Sequence, residues 1–366
     1  MPLACGIVGL PNVGKSTLFN ALCGSALAAA ANYPFCTIEP NKAIVPVLDP
    51  RLEELGKFFP KAVQTPTTLT IVDIAGLVRG AHAGQGLGNQ FLAHIREVHA
   101  ILHVLRCFED PNIIHVEGAP DPIRDKEIVD LELQLKDLET IQKALVRAEK
   151  EARLAGDPEA QKKLSVLRRA ESHLSEGRNL RTLAFEPEEQ AYLRSLGLLT
   201  LKPVLYVANI DEGSLPSGNE LSRRVIQMAA EEGAPVLTLC AAIEAQIVTL
   251  PPEERTEFLK LYGIEAPALP QLVRMAYKLL GLVTFFTAGP KEVRAWTVRQ
   301  NTPAVRAAGE IHSDIERGFI RAEVISYEDY IAYGGEEGAK AAGKMRLEGR
   351  DYLIQDGDVV YFRFAV

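Results

Sequence analysis

The chain has 366 residues, and its 48 acidic against 40 basic side chains give a formal net charge of −8. This balance argues against a protein that coats nucleic acid by bulk charge, although it leaves room for a local basic patch. A hydrophobic fraction of 47% with 24% charged residues is typical of a globular protein with a packed core, and it excludes disorder over most of the chain.

The cysteines and the N-terminus bear on the compartment. The five cysteines are scattered and form no Cys-x-x-Cys pair, which indicates neither a disulfide framework nor a zinc site. The N-terminus lacks the basic start and the long apolar stretch of a signal peptide, and no run of about 18 apolar residues occurs. We therefore expect a reducing compartment, a cytoplasmic location and no association with a membrane.

Six short apolar runs are typical of buried β-strands, and helical patterns separate several of them. Such alternation predicts an α/β fold with a mostly parallel sheet that helices cover on both faces. The runs are Leu3–Val8, Ala43–Val47, Leu69–Val72, Ala100–Leu105, Val204–Ala208 and Val236–Leu239.

Between the fourth and fifth runs, leucine and isoleucine recur at three- and four-residue steps on both sides of Gly156-Asp157-Pro158. This pattern predicts two long amphipathic helices that form an antiparallel arm. From Lys143 to Arg181 the arm carries ten Lys and Arg against six Asp and Glu, so it is the most cationic part of the chain. These cations either contact RNA phosphates or form a solvated helical face, and the residues alone favour the solvated face. The cations in question are Arg147, Lys150, Arg153, Lys162, Lys163, Arg168 and Arg169.

From about Gly281 the pattern changes to alternating segments with Gly-rich turns between them. This change predicts a small, separate α+β domain of fewer than 90 residues. Its alternating segments are Glu292–Val298, Ile320–Ile325 and Val359–Phe364.

The segment from Gly9 to Ser16 matches G-x-x-x-x-G-K-[ST] and lies between the first strand and an apolar helix. In this motif, backbone N–H groups and a helix N-terminus bind phosphate oxygens. The lysine reaches the β- and γ-phosphates, and the hydroxyl ligates Mg²⁺. We therefore predict that Lys15 contacts the phosphates and that Ser16 ligates the metal. The residues expected to bind the nucleotide at this loop are Asn12, Val13, Gly14, Lys15, Ser16 and Thr17.

Two further segments are typical of the metal end of such a site. Asp73-Ile74-Ala75-Gly76 follows a predicted strand, so the Asp73 carboxylate is expected to hold Mg²⁺ with the Gly76 N–H near the γ-phosphate. Thr37 lies between the P-loop helix and the second strand, where a threonine hydroxyl can join the Mg²⁺ shell. The alternative for Thr37 is an ordinary loop threonine.

Six stretches of the chain are distinctive: GLPNVGKS, NYPFCTIEPN, DIAGLVRGA, GQGLGNQFL, FFTAGPKEVRAWT and GFIRAEV. Together they resemble the Obg-like ATPase (YchF) family, and the resemblance spans nearly the whole chain. It implies a Ras-like P-loop nucleotide domain, a helical coiled-coil insertion and a C-terminal ubiquitin-like (β-grasp) TGS domain. We accordingly assign 1–122 and 200–280 to the nucleotide domain, 123–199 to the insertion and 281–366 to the TGS domain.

The choice of base can be argued from one motif. GTPases read guanine with Asn-Lys-x-Asp after the fifth strand, in which the aspartate accepts from guanine and the lysine covers the base. The corresponding residues here are Asn209-Ile210-Asp211-Glu212, and loss of the paired contact is enough to remove guanine preference. The resemblance implies ATP instead, with Asn209, the Ile210 backbone and Glu212 at the base. An off-register guanine site on Asp211 stays open as an alternative.

The residue that usually activates water in such enzymes is replaced in this sequence. In Ras-like enzymes a glutamine after Asp-x-x-Gly orients the attacking water, but here that residue is Leu77, so we expect slow intrinsic hydrolysis and a need for an activating partner. The resemblance favours His115 for this role, beside Lys15 and Gly76, although a structural loop histidine is the equal alternative. His94 is expected to be structural.

Asn12 resembles the asparagine that coordinates K⁺ in potassium-dependent relatives, where the cation neutralises charge in the transition state. The sequence thus predicts a Mg²⁺-dependent ATPase switch in which water attacks the γ-phosphate in line. The resemblance implies the ribosome or ribosomal RNA as partner, and no DNA is expected. A GTPase switch of the same architecture stays open, as does a ribosome- or RNA-binding module with incidental turnover.

Overall fold

The computed structural model describes residues 3–30, 38–74, 87–155 and 158–365. The predicted site residues Thr37 and Gly76 lie outside these ranges, as does Leu77. The strands within the ranges are β1 (Ala4–Val8), β2 (Ile38–Glu39), β3 (Lys42–Pro46), β4 (Val63–Thr65), β5 (Thr68–Asp73), β6 (Ala100–Cys107), β7 (Val204–Ile210), β8 (Val236–Leu239), β9 (Leu282–Ala288), β10 (Glu292–Arg299), β11 (Phe319–Ile325), β12 (Arg346–Glu348) and β13 (Val359–Phe364).

None of the described helices is both long and apolar enough to cross a membrane. Short 3₁₀ turns lie at Leu180–Thr182 and Glu212–Ser214. The α-helices are α1 (Lys15–Ala30), α2 (Pro50–Gly56), α3 (Leu87–Glu97), α4 (Pro122–Ala155), α5 (Pro158–Ser175), α6 (Pro187–Ser195), α7 (Glu220–Glu232), α8 (Ala241–Thr249), α9 (Pro252–Leu261), α10 (Leu269–Leu279), α11 (Ala304–Ile311), α12 (Ser313–Arg317), α13 (Tyr327–Ala332) and α14 (Glu336–Ala341).

The larger sheet has the strand order β2-β3-β5-β1-β6-β7-β8. β1 pairs in parallel with β5 and β6, and β6 with β7 and β7 with β8 are parallel as well. Every residue of β6 and β7 is buried, as expected for central strands of a covered parallel sheet. The predicted α/β fold is confirmed. Parallel pairing brings the carboxyl ends of β1, β5, β6, β7 and β8 to one edge of the sheet.

The predicted pair of long helices corresponds to α4, with 34 residues, and α5, with 18. α4 begins at Pro122, and the carboxylate of Asp121 accepts from the backbone N–H groups of Ile123 and Arg124 at 3.1 and 3.3 Å. α4 and α5 pack through a shared apolar cluster that includes Ala148 and Leu167. Further along α4, the fully buried Asp137 carboxylate binds the backbone ahead of β7, which ties the arm to the sheet.

The smaller sheet has the order β12-β11-β13-β9-β10-β4, so a strand from the N-terminal third of the chain lies at its edge. β4 pairs in parallel with β10, in the register Val63 with Glu292. By contacts, the chain forms two compact units: the first holds the described residues of 1–25, 38–43 and 70–272, and the second those of 26–37, 44–69 and 273–366. The four-part division made from the sequence stays a prediction, and it does not include this grouping of 44–69 with the C-terminal residues.

α2 packs into the second unit together with β4. Pro50 occupies its first turn and Asp49 caps it by accepting from the Arg51 N–H at 3.0 Å. Its buried Leu52 and Leu55 join a cluster with Phe286 from β9. The Arg51 guanidinium also pairs with Asp356 at 2.9 Å and lies 5.3 Å from the Phe286 ring.

Candidate nucleotide-binding site

The loop between β1 and α1 has the backbone shape that its glycines predict. Asn12 and Gly14 have φ values of 62° and 100°. A Cβ atom on Gly14 would lie 2.2 Å from the side-chain nitrogen of Asn209, so both the backbone angle and the close approach require glycine. The loop leads into α1 at Lys15, which places a helix N-terminus where phosphate groups are expected.

Lys15 is buried, and its Nζ donates to the Leu10 carbonyl of the same loop at 2.7 Å. Burial lowers the pKa of Lys15 to about 8, and the nearby Asp73 carboxylate partly opposes this shift. The ammonium is therefore held over the loop by one carbonyl. Ser16, the next residue, is exposed at the start of α1.

Asp73 ends β5 on the same edge of the sheet. Its Oδ1 is buried and has no hydrogen-bond partner among the described residues, and burial raises the pKa of this carboxyl while Lys15 lowers it. A buried carboxylate oxygen without a partner is the kind of ligand that Mg²⁺ prefers. Asp73 and the Ser16 hydroxyl therefore fit a magnesium ion, and the predicted third ligand, Thr37, lies outside the described residues.

A cavity of about 650 Å³ opens beside the loop, within the size range of small-molecule sites. It brings together eight predicted residues: Asn12, Gly14, Lys15, Ser16, Thr17, Asn209, Ile210 and Glu212. Val13 does not line it, because its side chain is buried in the core. Sequence reasoning missed the walls that follow β6 and β8. Those walls are Phe108, Glu109, Asp110, Ile113, Cys240, Ala241 and Ala242.

Asn209 connects two segments of the cavity wall. Its side-chain nitrogen donates to the Val13 carbonyl at 2.9 Å, and its side-chain oxygen accepts from the Ala241 N–H at 2.9 Å. The residue is buried, so these partners satisfy amide groups that would otherwise be costly to bury. Asn209 was expected beside the base, and here both ends of its amide bind backbone.

The two residues after Ile210 differ in what they contact. The Asp211 carboxylate accepts from the Ser214 N–H at 2.7 Å and thereby caps the short 3₁₀ turn. Glu212 is exposed at the cavity rim, whereas Ile210 is only 2% exposed. Asp211 also lines the cavity, and one oxygen of the carboxylate that an off-register guanine site would use is engaged in this turn.

Arg106, near the end of β6, is a buried cation that sequence reasoning did not single out. Its guanidinium donates to the carbonyls of Phe108 at 3.1 Å, Asp110 at 3.4 Å and Asn12 at 3.5 Å. It also stacks 4.5 Å from the centre of the Phe108 ring. Burial lowers the pKa of Arg106, and Asp110 and Asp125 oppose that shift. Arg106 therefore braces the P-loop and the wall after β6 together.

The two histidines weighed for catalysis have different surroundings. His94 is exposed on α3. His115 is buried, with its Nε2 2.7 Å from the Asp125 carboxylate and its Nδ1 accepting from the Glu117 N–H at 3.1 Å. The side chain of Asn12, considered for K⁺, donates to the Ile114 carbonyl at 3.0 Å.

Comparisons with known proteins found relatives that match along the whole chain. A family model described as 50S ribosome-binding GTPase matches residues 4–149, and the model YchF-GTPase_C, described as a protein of unknown function, matches residues 282–365. The chain is similar to proteins named "Ribosome-binding ATPase YchF" from Shigella flexneri and Bacillus subtilis, with 52% and 50% identity and full coverage of both chains. It is also similar to the solved YchF GTPase of Schizosaccharomyces pombe, with 37% identity, a TM-score of 0.89 and coverage of 99% of this chain and 97% of that one.

Proposed function

The chain belongs to the YchF family, and from this premise we propose that it is a Mg²⁺-dependent, ribosome-binding ATPase whose hydrolysis of ATP to ADP and phosphate switches its conformation. With a ribosomal partner, we expect a cytoplasmic location. The observation that carries the choice of nucleotide is the cavity wall at the end of β7, where Ile210 and Glu212 replace the two residues that read guanine.

The phosphate end of the proposed site uses the P-loop residues. Lys15 exchanges its bond to the Leu10 carbonyl for phosphate oxygens, and the α1 N-terminus adds backbone N–H groups. Ser16 and Asp73 hold the metal, together with Thr37. Magnesium supplies positive charge that neutralises the β- and γ-phosphate oxygens. Gly76 is proposed to donate its N–H to the γ-phosphate.

The base end supports adenine over guanine. A guanine site needs a carboxylate that accepts from two neighbouring donors of the base, and a cationic stem over the ring. Here Ile210 is buried and uncharged, and the Asp211 carboxylate caps a turn. A site without these partners leaves the guanine donors without acceptors, which penalises GTP.

Equilibrium binding of ATP and GTP to nucleotide-free protein, with Mg²⁺ present, tests this choice. We expect ATP to bind more tightly, and the pair Ile210→Lys/Glu212→Asp to shift the preference toward GTP by about 100-fold. Glu212→Asp alone is the matched control and should shift it less. Equal or tighter GTP binding by the unmodified protein would contradict the ATPase proposal and favour the GTPase switch.

For hydrolysis, we propose that His115 orients or deprotonates the attacking water, in place of the glutamine that Leu77 replaces. Ile113, two residues earlier, already lines the cavity. The ring must exchange its contact with Asp125 for this role. We expect His115→Ala to lower kcat by about 100-fold with little effect on the KM for ATP, which is the usual size of a general-base contribution. His94→Ala is the control and should leave kcat unchanged.

A potassium ion at Asn12 is a further part of the proposal. The Asn12 side chain donates to the Ile114 carbonyl. A cation bound at Asn12 would therefore lie close to both the P-loop and the loop of His115. Turnover measured in K⁺ and in Na⁺ at equal ionic strength tests it. We expect faster turnover in K⁺, and Asn12→Ala should remove the difference.

The surface proposed to meet ribosomal RNA lies on the outer half of the arm. Among the described residues, four exposed cations there make no ion pair: Arg147, Lys150, Arg153 and Lys162. Four others are paired with glutamates at 2.5 to 3.4 Å: Lys143, Lys163, Arg168 and Arg169. Unpaired cations release counterions when they meet phosphates, so the first set is better suited to bind RNA.

Two variants of equal charge change separate the two sets. We expect replacement of the four unpaired cations by glutamine to weaken binding to purified ribosomes. The slope of log Kd against the logarithm of the salt concentration should fall by roughly three. Replacement of the four paired cations should change both quantities much less. Equal effects of the two variants would show that bulk arm charge, and not this surface, carries the binding.

A further inference from the structure

The ring of His115 is held on both sides by protein groups. The Glu117 N–H donates to Nδ1, so Nδ1 carries no proton and Nε2 donates its own proton to Asp125. The side chains of His115 and Asp125 are each 1% exposed. The other oxygen of Asp125 accepts from Arg124 at 2.9 Å, so the carboxylate itself is fixed. In this arrangement neither ring nitrogen is available to a water molecule.

In the loop around His115 a polar side chain is buried and its apolar neighbours are exposed, which is the reverse of the usual arrangement. His115 is buried, whereas its neighbours Ile113, Ile114 and Val116 are 38%, 78% and 50% exposed. Burial of an isoleucine and loss of a charge-assisted hydrogen bond are of similar size. A second arrangement, with His115 outside and an isoleucine or valine covered, would gain apolar burial in exchange for the hydrogen bond to Asp125.

The contact to Asp125 also links the loop of His115 to the arm. Asp125 lies in the first turn of α4, and the same helix continues to Ala155, roughly 45 Å further at 1.5 Å per residue. On the other side, Asn12 of the P-loop holds the loop through the Ile114 carbonyl. The neighbouring Lys126 pairs with Glu232 of α7, which fixes the start of α4 against α7. A partner that displaces the start of α4 would therefore act on the contact between Asp125 and His115.

From these observations we propose that Asp125 is a positioning residue that restrains His115, and that a partner on the arm releases the ring by displacing the first turn of α4. This inference rests on the proposed role of His115 in hydrolysis. In the free protein the Asp125 carboxylate keeps the ring inside and turnover slow. When α4 shifts, the His115 ring turns toward the nucleotide and the exposed apolar neighbours become covered. The partner proposed for the arm is the ribosome.

Steady-state ATP hydrolysis by the full chain, with and without purified ribosomes, tests the restraint. Asp125→Asn removes the charge from the hydrogen bond, and we expect it to raise kcat without ribosomes by roughly tenfold while KM for ATP stays unchanged. Stimulation by ribosomes should shrink by the same factor. Glu127→Gln is the matched control, because Glu127 is an exposed carboxylate on the same helix, and it should change neither quantity.

Two further variants separate the possible failures. The pair His115→Ala/Asp125→Asn should be no faster than His115→Ala, since the gain acts through the ring. If His115→Ala keeps full turnover in the presence of ribosomes, the proposed role of His115 is wrong. If His115→Ala is inactive but Asp125→Asn shows no gain while its thermal unfolding matches the parent, the restraint by Asp125 is wrong and the proposed function stands. Side-chain ¹⁵N shifts of His115 give a readout apart from activity, and Asp125→Asn should move the Nε2 signal.

Discussion

Asn209 donates its side-chain amide to the Val13 carbonyl at 2.9 Å, across 196 positions of sequence. Its oxygen binds the Ala241 N–H at the start of α8, so one side chain joins the P-loop to the segment after β8. Both segments line the nucleotide cavity. The asparagine of the base motif therefore sets the shape of the phosphate loop as well as the wall near the base.

Replacement of Asn209 by alanine should weaken the binding of ATP and GTP alike. The change leaves the Val13 carbonyl and the Ala241 N–H without partners in a buried region, at about 1–3 kcal/mol each. We expect a loss of roughly 10- to 100-fold in affinity for both nucleotides, measured by equilibrium titration. Asn112→Ala, at an exposed position after β6, is the control. A change in base preference without a general loss would show that Asn209 reads the base directly.

Arg106→Lys should destabilise the first unit and weaken ATP binding together. A lysine cannot reproduce the fork that reaches the carbonyls of Phe108, Asp110 and Asn12, and its ammonium would be buried without matched acceptors. We expect a loss of about 3 kcal/mol in the free energy of unfolding, measured in urea. Arg223→Lys, on the exposed face of α7, serves as the control and should change it by less than about 0.5 kcal/mol.

His103 should contribute to destabilisation of the protein in acid. Burial lowers the pKa of His103 to about 4, and Asp130 opposes the shift. Between pH 6.5 and about 4 the unfolded chain binds a proton that the folded chain does not, so the free energy of unfolding falls as the pH falls through this window. Across this window, His103 lowers the free energy of unfolding by about 3 kcal/mol in total.

Urea unfolding at pH 7 and pH 4.5 measures this contribution. His103→Phe keeps a ring beside Tyr206 and removes the titrating group, so it should reduce the loss of stability between the two pH values. His94→Gln, at an exposed position, should leave the loss unchanged. The same loss in the parent and in His103→Phe would assign the acid sensitivity to other groups.

The parallel sheet and the arm were predictable because their signals are local. Each of the six apolar runs corresponds to a strand, since a strand buried on both faces is continuously apolar. The step of three and four residues identified α4 and α5, and the P-loop was identified by its own motif. β4 was missed because three residues are too few to show a period, and its partner β10 lies more than 200 positions later.

Site residues could be predicted only where a single sequence motif contains all the residues that act together. Lys15 and Ser16 follow from the P-loop, but the bonds of Asn209 to Val13 and Ala241 depend on which strands are neighbours. Arg106 left one signal in the sequence: it is a charged residue directly after the buried run Ala100–Leu105. A charge at the end of a buried strand requires partners at the edge of the sheet, and that edge is the nucleotide site.

The grouping of 44–69 with the C-terminal residues leads to a prediction about fragments. A fragment of 281–366 lacks α2 and β4, so it exposes the apolar surface that Leu52 and Leu55 cover and leaves the edge of β10 unpaired. Burial of two leucines is worth about 4 kcal/mol, a large share of the stability of a small domain. We expect 281–366 alone to be much less stable in urea than a fusion of 44–69, a Gly/Ser linker and 273–366.

Two variants of the fusion test which contacts matter. Leu55→Ala should lower its free energy of unfolding by about 3 kcal/mol, while Val63→Ala, at an exposed position of β4, should lower it far less. Equal stability of the fragment and the fusion would show that the C-terminal sheet is complete without the N-terminal segment.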